Sequence, residues 1–492
     1  TGGNQARYLE CLYYEDYTET PLLSAIREIL EEKGGLIAGT SAGAAVLSET
    51  MIQGGGSYGA TLAGVLHQDI NLANYEDNFT PFTDKKDGRV WIGKGFGFLP
   101  SHILSGTHFI ARGRIGRLLT ASLYLKGIIK KSVTGIGVDE DTAVFCFSDN
   151  TFEIIGALGA LIIETSNSRS LKCGRGLSIH GENFVLHYLE HGDKFKIDIE
   201  TGEIIIEKIN EGKSKIQSIK NEKFYIEPDI FGRNTIRDFI QQCLINSDSP
   251  CAIGTELVDN TESSYDSILF HDLVKEDTIL FRFTRNEKTT GWTGSVSYNW
   301  WGKGDRSFPK LEKVTENRFS FTNVDCKIIR MDVLNFPDMS DSSNIQIKSE
   351  YLKKGYSEQD WQELFDDYKN YRLGLLLLPI DKSNIEVHSF FFDYAYYDYD
   401  QNGRYSPPRY KNENESGKFQ DYDIVQMNTA ASTEIFIDGQ AAGVTNNYGI
   451  LNLNVGDWSK IKAIYHGKRN DYSVETENNG IRTAILVFEE IR

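Results

Sequence analysis

The chain has 492 residues, 40% of them hydrophobic, and a formal net charge of −18 at pH 7. A chain of this length buries several cores, so two to four domains are expected. The negative charge argues against nucleic acids and anionic membranes as main partners. The longest uninterrupted apolar and glycine run, residues 154–163, is too short to cross a bilayer, and no membrane span is predicted. The six cysteines form no C-x-x-C pair, which gives no zinc or redox signature.

An α/β domain is predicted over residues 1 to about 205. Strands that alternate with helices favour a layered architecture with a mostly parallel sheet. The expected elements are a helix at about 21–33, a short apolar strand and turn over 34–45, a helix from about 111 to 125, and strands around 135–147 and 151–155.

Residues 39–43, Gly-Thr-Ser-Ala-Gly, have the G-x-S-x-G spacing of a nucleophile elbow. Such an elbow holds its serine on a tight strand-to-helix turn, where a Cβ at either glycine would crowd the backbone. Ser41 is therefore the candidate nucleophile, and the backbone N–H of Ala42 is a candidate oxyanion donor. Because the pattern also recurs by chance, a Gly/Ala-rich helix start capped by Thr40 or Ser41 is the alternative interpretation.

His108 is the candidate general base for that serine. It lies in Gly-Thr-His-Phe, directly before a run that contains Arg112, Arg114 and Arg117. A histidine at a strand end beside a cationic helix start is well placed to face a ligand across the sheet edge. The guanidinium groups could bind a carboxylate or peptide carbonyls bidentately. The alternative is a solvated basic face beside a structural histidine.

Five sequence blocks occur in one order along the first 205 residues. They are residues 1–5 (TGGNQ), 39–45 (GTSAGAA), 97–99 (GFL), 108–119 (HFIARGRIGRLL) and 135–143 (GIGVDEDTA). Together they resemble the cyanophycinase and dipeptidase E family of serine peptidases, and they are most similar to the cyanophycinase branch. The resemblance implies a flavodoxin-like or class I amidotransferase-like α/β fold with a parallel sheet for this domain.

The same resemblance implies a nucleophile, a general base, two oxyanion-hole donors and four substrate-lining side chains. In that order they are Ser41, His108, the N–H groups of Gly3 and Ala42, and the side chains of Gln5, Arg112, Arg114 and Arg117. Members of the family cleave after aspartyl residues, including the β-linked Asp-Arg units of cyanophycin, by acyl transfer through the serine. The expected partner is a peptide or poly-amino-acid substrate, and no cofactor is implied.

Two departures from the family pattern bear on activity. Cyanophycinases usually carry Asp-Gln before His-Phe, whereas this chain has Gly106 and Thr107, which argues against Asp-Arg as the substrate. The family's third triad member is an acidic residue within about twenty positions after the serine. Here Glu49 comes too early and nothing acidic follows it in that window. These departures leave open an inactive cyanophycinase-like binding or structural protein, and also an amidase or esterase acting on a small substrate.

The strands that open the family's fold precede the block at residues 1–5. A parallel sheet without its central strand would expose edges and apolar surface. We therefore expect a docked segment preceding Thr1 to supply those strands. A homodimer is a further partner state that the sequence leaves open.

Asp139, Glu140 and Asp141 form an acidic block at the end of an expected strand. Only two of three neighbouring side chains on a strand share a face. The block is therefore predicted to tune the site or to bind water, and a metal site is the weaker interpretation.

Beyond the first domain the sequence is less informative. Residues 206–222 are predicted as a linker or an exposed connection. The domains predicted after residue 205 are a second domain over residues 206–370 and a β-rich accessory domain over residues 371–492. The second domain echoes the first in Gly232-Arg233 and in Ala252-Ile253-Gly254, and, more weakly, in Leu269-Phe270. A degenerate partial repeat without an elbow is one interpretation, and chance is the other.

Asp398, Asp400 and Asn402 match the first half of a D-x-D-x-N-G calcium loop. Arg409 stands at position twelve, where a bidentate glutamate should be, so an EF-hand is excluded. A hairpin turn built on Asn402 and Gly403 is favoured, because both residues tolerate positive φ. A shorter calcium loop is the weaker alternative, and no other metal site is predicted.

Overall fold

The computed structural model describes residues 2–73, 89–174, 177–220, 225–227, 230–232, 235–256, 277–301, 311–335, 371–381, 383–393, 398–399, 405–406, 428–456, 458–468, 471–478 and 483–489. Two compact units divide the chain. The first comprises Thr1–Gln217, Phe231–Arg237 and Phe283–Ile328, and the second comprises Ser218–Ile230, Asp238–Arg282 and Ile329–Arg492. The protein is mixed α/β, with several sheets and few helices. The domain boundaries expected at about 205 and 370 remain predictions.

Helices are few in the part of the chain that the structure describes. They are α1 (Gln5–Leu12), α2 (Pro21–Glu31), α3 (Ala42–Ala45), α4 (Ser57–Ala63), α5 (Ile115–Ile129) and α6 (Thr235–Ile240), with a 3₁₀ turn at Ile110–Arg112 and a π-helical turn at Gln241–Ile245. Thr20 caps α2 by accepting a hydrogen bond from the N–H of Leu23, which satisfies one of the free N–H groups at the start of the helix. None of the described helices combines the length and apolarity needed to cross a bilayer.

Strands make up most of the regular structure. Those before residue 217 are β1 (Thr50–Gly54), β2 (Val65–His67), β3 (Val90–Lys94), β4 (Ile103–Thr107), β5 (Thr134–Val138), β6 (Thr142–Cys146), β7 (Thr151–Gly156), β8 (Gly159–Glu164), β9 (Arg169–Gly174), β10 (Leu177–Glu190), β11 (Lys194–Ile197), β12 (Ile204–Lys208) and β13 (Lys213–Lys215). Those between residues 218 and 335 are β14 (Tyr225–Glu227), β15 (Cys251–Thr255), β16 (Asp277–Trp301) and β17 (Leu311–Leu334). The remainder are β18 (Tyr371–Pro379), β19 (Asn384–Asp393), β20 (Asp398–Tyr399), β21 (Tyr405–Ser406), β22 (Asn428–Thr429), β23 (Glu434–Ile437), β24 (Gln440–Val444), β25 (Ile450–Asn454), β26 (Lys460–His466), β27 (Asp471–Glu477) and β28 (Ala484–Phe488).

The first unit contains a crossover from β4 through α5 to β5. The two strands pair in parallel, with Ile103 opposite Thr134 and Thr107 opposite Val138. Glycines let the crossover helix pack closely on the strands: a Cβ on Gly135 would lie 3.0 Å from Cγ of Leu118. Parallel strands joined in this way end at the same edge of the sheet, so the segments that follow β4 and β5 lie side by side.

The expectation of a mostly parallel sheet is wrong for the described residues. β5 pairs antiparallel with β8, and β8 pairs antiparallel with β10. A further sheet in the order β12, β11, β7, β6 is antiparallel throughout. A short apolar run such as Gly159–Glu164 is compatible with either direction, because its residues are buried on both faces in either case. The sheet of the first unit is therefore mixed.

The strand expected immediately before the elbow is also absent from the structure. Residues 35–40 have no regular structure, and Leu36 is 74% exposed. An apolar run forms a strand only where a neighbouring strand accepts its backbone hydrogen bonds, and no described strand pairs with these residues. The turn that carries Ser41 forms nonetheless.

The predicted linker at 206–222 is folded in its first part. β12 pairs with β11, and β13 pairs with β16. Lys213 is buried, and its Nζ donates to Oδ2 of Asp193 at 2.7 Å and to Oγ of Ser320 at 2.7 Å. A lysine in a polar stretch of sequence predicts an exposed side chain, but an ammonium group whose hydrogen bonds are satisfied by protein partners can be buried. Residues 221–222 lie outside the described residues.

The second unit is rich in β-structure. β14 and β15 pair in parallel, and β28 pairs in parallel with β17 and antiparallel with β18. A separate antiparallel sheet has the order β24, β23, β26, β27. β20 pairs antiparallel with β21, which supports the predicted hairpin. The calcium candidates Asp400 and Asn402, and also Gly403 and Leu269-Phe270 of the suggested repeat, lie outside the described residues.

Candidate active site

Ser41 lies at the start of α3 on a tight turn. Its φ of 55° and ψ of −119° are unusual for a residue with a side chain, and such a conformation costs on the order of 1–3 kcal/mol. The turn has no room for a larger residue at Gly39, where a Cβ would lie 2.1 Å from the carbonyl oxygen of Gly43. The predicted steric reason for glycine is therefore correct at this position. Ser41 itself makes no side-chain cap to α3.

His108 directly follows β4 and faces Ser41. Its Nε2 lies 2.9 Å from Oγ of Ser41, although the two residues are 67 positions apart in the chain. His108 also has a positive φ, 50°. The N–H of Phe109 donates to the carbonyl oxygen of Val138 at 3.2 Å, which ties the turn to the end of β5.

Glu140 lies on the other side of the imidazole. Its Oε1 is 2.8 Å from Nδ1 of His108. The two contacts fit a neutral ring that donates from Nδ1 to the carboxylate and accepts at Nε2 from the serine hydroxyl. The side chains of His108 and Glu140 are 29% and 36% exposed, so the pair is reachable from solvent.

The sequence window of about twenty positions after Ser41 contains no acid suited to orient this histidine, and in the structure Glu140 makes that contact. This acid lies outside that window because it comes from the end of a different strand, β5. β4 and β5 are parallel neighbours, so His108 after the one and Glu140 after the other meet at the same edge. The signal in the sequence was the acidic block after the apolar run at 134–138.

The three carboxylates of that block do not converge on one point. Glu140 contacts His108, whereas Oδ1 of Asp139 accepts the N–H of Ile110 at 3.0 Å and Oδ2 accepts the hydroxyl of Tyr188 at 2.9 Å. Burial raises the pKa of Asp139 to about 7. This arrangement agrees with a tuning role for the block and gives a metal ion no common set of oxygens.

The two expected oxyanion donors lie at the elbow. The ideal Cβ position of Gly2 is 3.4 Å from Cβ of Ser41, so the backbone of the N-terminal block passes beside the serine. Gly3 has a φ of 130°, which a side chain would disfavour. Within the ranges that the structure describes, neither the N–H of Gly3 nor that of Ala42 donates to a protein acceptor.

Of the four side chains expected to contact substrate, one is exposed and the other three donate hydrogen bonds to backbone carbonyl oxygens of the protein. Arg112 is exposed at the end of the 3₁₀ turn, whereas Arg117 is buried and its Nη1 donates to the carbonyl oxygen of Gly55 at 3.1 Å. Arg114 is partly buried, and its Nη1 donates to the carbonyl oxygen of Thr107 at 2.5 Å. Gln5 donates to the carbonyl oxygen of Ile52 at 3.4 Å.

These positions give the three arginines different surroundings, whereas the sequence predicted that all three line the substrate site. Arg114 holds the backbone just before His108, and Arg117 holds the loop after β1. Arg112 is thus the best placed of the three arginines to meet a ligand in solvent. The spacing of arginines along a helix start could not distinguish a buried guanidinium from an exposed one.

One cluster elsewhere could in principle hold a metal ion. Among the described residues, potential ligand atoms of Cys251, Glu386 and His388 lie within 4.8 Å of one another in the second unit. However, both carboxylate oxygens of Glu386 accept hydrogen bonds from Arg282, at 3.1 and 2.9 Å, and Oε1 also contacts Nε2 of His388 at 2.7 Å. A guanidinium in this position repels a cation, so the group fits a buried ion-pair network better than a metal site.

The chain is similar to curated cyanophycinases. It is 30% identical to the cyanophycinase of Trichormus variabilis over 202 residues, which is 40% of this chain and 55% of that protein. It is 31% identical to the cyanophycinase of Thermosynechococcus vestitus over 202 residues, 51% of that protein, and 31% identical to that of Geminocystis herdmanii over 200 residues, 60% of that protein. No family model matches the chain.

These relatives confirm the resemblance to the cyanophycinase family that the five sequence blocks indicate. The chain spans only about half of the length of the curated relatives that it matches. The similarity to these relatives and the Ser41–His108–Glu140 geometry point to the same residues.

Proposed function

We propose that the protein is a serine peptidase of the cyanophycinase type, with Ser41 as nucleophile, His108 as general base and Glu140 as the acid that orients the imidazole. The observation that carries this proposal is the continuous chain of contacts from Glu140 through His108 to Ser41, at 2.8 and 2.9 Å. This distance range is the one required for proton transfer between a nucleophile and its base. The similarity to cyanophycinases supports the same assignment.

The proposed mechanism is acyl transfer in two steps. Nε2 of His108 takes the hydroxyl proton of Ser41 as Oγ attacks the scissile carbonyl carbon, and the N–H groups of Gly3 and Ala42 bind the oxyanion. His108 then returns the proton to the leaving amine, which leaves an ester on Ser41. A water molecule, deprotonated by the same imidazole, hydrolyses the ester. Glu140 stabilises the imidazolium in both steps.

The proposed substrates contain aspartyl or β-aspartyl (iso)peptide bonds. Similarity to cyanophycinases supports this class, and the exposed guanidinium of Arg112 offers a partner for a substrate carboxylate. Gly106 and Thr107 supply no carboxylate for an arginyl side chain. We therefore propose hydrolysis of aspartyl bonds without a strict requirement for arginine. For the fold of this domain we propose a flavodoxin-like or class I amidotransferase-like core, which the parallel β4–α5–β5 crossover supports.

A serine-directed fluorophosphonate probe tests the mechanism. We expect covalent labelling of the wild type, loss of labelling in Ser41→Ala, and normal labelling in Ser24→Ala, whose serine is exposed on α2. Turnover of a β-Asp-Arg dipeptide, a β-Asp-Lys dipeptide and an α-Asp dipeptide is then compared with that of a matched glutamyl dipeptide. Removal of the nucleophile should reduce turnover by about 10⁶-fold. Equal labelling of wild type and Ser41→Ala would contradict the proposal and favour a binding or structural role.

A further inference from the structure

The segment that carries His108 is attached to the end of β5 at four consecutive positions. The ring of Phe109 fills the space over Gly137, where a Cβ would lie 2.3 Å from the ring. The N–H of Phe109 donates to Val138, the N–H of Ile110 donates to Asp139, and the imidazole contacts Glu140. The proposed triad accounts for only the last of these contacts.

We propose that Asp139 is a positioning residue for His108, held in place by Tyr188, and that it fixes the imidazole between Ser41 and Glu140. The inference rests on the proposed function and extends it to a residue outside the triad. Asp139 does not touch the reacting atoms. It acts through the backbone of Ile110, two residues after His108.

Backbone geometry explains why this attachment matters. His108 has a positive φ, a conformation that persists only where the surrounding contacts over-determine it. Asp139 supplies one such contact from a side chain that is only 5% exposed, so little water competes for the N–H of Ile110. Asp139 and Glu140 are also adjacent in the chain. One short stretch of backbone therefore holds the segment of His108 with one carboxylate and its ring with the next.

Tyr188 determines which way the Asp139 carboxylate points. Its hydroxyl donates to Oδ2 of Asp139 at 2.9 Å from the fully buried end of β10, which leaves Oδ1 facing Ile110. The charged groups around this contact are Arg237, which attracts the Asp139 carboxylate, and Glu140, which repels it. Burial raises the pKa of Tyr188, and the nearby carboxylates of Asp139 and Glu190 raise it further. The hydroxyl therefore keeps the proton that it donates.

Three variants test the proposal. Asp139→Ala removes both hydrogen bonds, Asp139→Asn retains an oxygen that accepts the N–H of Ile110, and Tyr188→Phe removes only the orienting hydroxyl. Asp198→Ala is the matched control, because Asp198 also accepts backbone N–H groups in the first unit, from Glu200 and Thr201, but on an exposed turn. Thermal unfolding followed by circular dichroism establishes that each variant is folded.

The main readout is the rate of fluorophosphonate labelling of Ser41 as a function of pH, with kcat and KM measured on an aspartyl dipeptide. We expect Asp139→Ala to lower the labelling rate and kcat by about 10²-fold with little change in KM, because a small misplacement of the base costs that much. Asp139→Asn should recover most of the rate, and Tyr188→Phe should fall between them. A folded Asp139→Ala variant with a wild-type rate and a wild-type pH midpoint would overturn the inference.

A second readout separates this inference from the proposed function. The Nδ1 proton of His108 should give a strongly downfield NMR resonance in the wild type, because it donates to a carboxylate. Asp139→Ala should lose that resonance, and Asp139→Asn should keep it. If the wild type shows the resonance but is never labelled, and Asp139→Ala loses the resonance, the proposed function fails and the positioning role stands. If the wild type is labelled and Asp139→Ala keeps both resonance and rate, only the positioning role fails.

Discussion

Two parallel strand pairs, one in each unit, share a local design and differ in the chemistry that they carry. After β4 the N–H of Phe109 donates to the carbonyl oxygen of Val138 at 3.2 Å, and after β14 the N–H of Ile230 donates to that of Thr255 at 2.8 Å. A Cβ on Gly137 would lie 2.3 Å from the ring of Phe109, and one on Gly254 would lie 2.5 Å from Cδ1 of Ile230. Both strand pairs thus use a glycine to seat the apolar residue of the following turn.

The side chains around these turns are different. The residue before Phe109 is His108, whereas the residue before Ile230 is Asp229. Val138 is followed by Asp139 and Glu140, whereas Thr255 is followed by Glu256 and Leu257. The backbone similarity supports the hypothesis of a partial repeat, and the second strand pair has neither a histidine nor a glutamate at the positions that correspond to His108 and Glu140. Asp229 and Leu257 lie outside the described residues. The comparison teaches that the same backbone arrangement at the end of a parallel strand pair can carry different side chains.

The largest effect is expected when a residue of the second strand pair is placed at the corresponding position of the first. Glu140→Leu imports the residue that follows Glu256 and removes the acid that contacts Nδ1 of His108. We expect the hydrolytic rate to fall by about 10⁴-fold, because the tautomer and orientation of the imidazole are no longer fixed. The measurement is kcat on an aspartyl dipeptide, with Glu140→Gln as the isosteric variant and Asp141→Asn as the control. A loss smaller than tenfold would remove Glu140 from the proposed triad.

The buried ion pair of the second unit should produce the next largest effect. Although burial raises the pKa of Glu386, His388 and Arg282 outweigh it and bring the pKa to about 2. A carboxylate whose pKa is lowered by folding contributes its full stabilisation at pH values above its pKa in the unfolded chain. That stabilisation is lost as the pH falls towards the folded-state pKa of about 2. Glu386→Gln removes a charged partner of the buried Arg282, which should cost about 3–5 kcal/mol at pH 7 and much less at pH 3.

Hydrogen exchange of the β18 and β19 amides is the appropriate measurement, because it reports local opening free energy without assuming a two-state chain. The control is Glu475→Gln, which breaks an exposed pair with Lys460 and should cost at most about 1 kcal/mol. Equal exchange of Glu386→Gln and wild type at pH 7 would show that the pair contributes no net stability.

The smallest effect is expected from adding a methyl group at the equivalent glycine of each strand pair, which tests whether the two backbones are packed alike. Gly137→Ala and Gly254→Ala each introduce a methyl group into a filled space, and overpacking of this kind costs about 1–3 kcal/mol. We expect similar local destabilisation in the two variants, measured by hydrogen exchange of β5 and β15. Only Gly137→Ala should also slow fluorophosphonate labelling of Ser41. Slower labelling in both variants would contradict the assignment of catalysis to the first strand pair alone.

The sequence predicted the contact between Ser41 and His108 better than the contacts around it. The G-x-S-x-G pattern and the histidine block identified Ser41 and His108, because both depend on short-range turn chemistry that is visible in a few residues. The sequence singled out the acidic block that contains Glu140 but did not predict the contact of Glu140 with His108. That contact is set by the parallel register of β4 and β5, which no local pattern shows. The directions of β8 and β10, and the burial of Arg117, likewise depend on tertiary pairing that a local pattern does not encode.

Lys213 has a consequence for chemical labelling. Its amine is fully covered and held by Asp193 and Ser320, so reductive methylation or acetylation of surface lysines in the native state should pass over it. Modification at this one position then records the moments when the first unit opens. A single peptide in a mass spectrum can thereby report the opening of the structure around Lys213, Asp193 and Ser320.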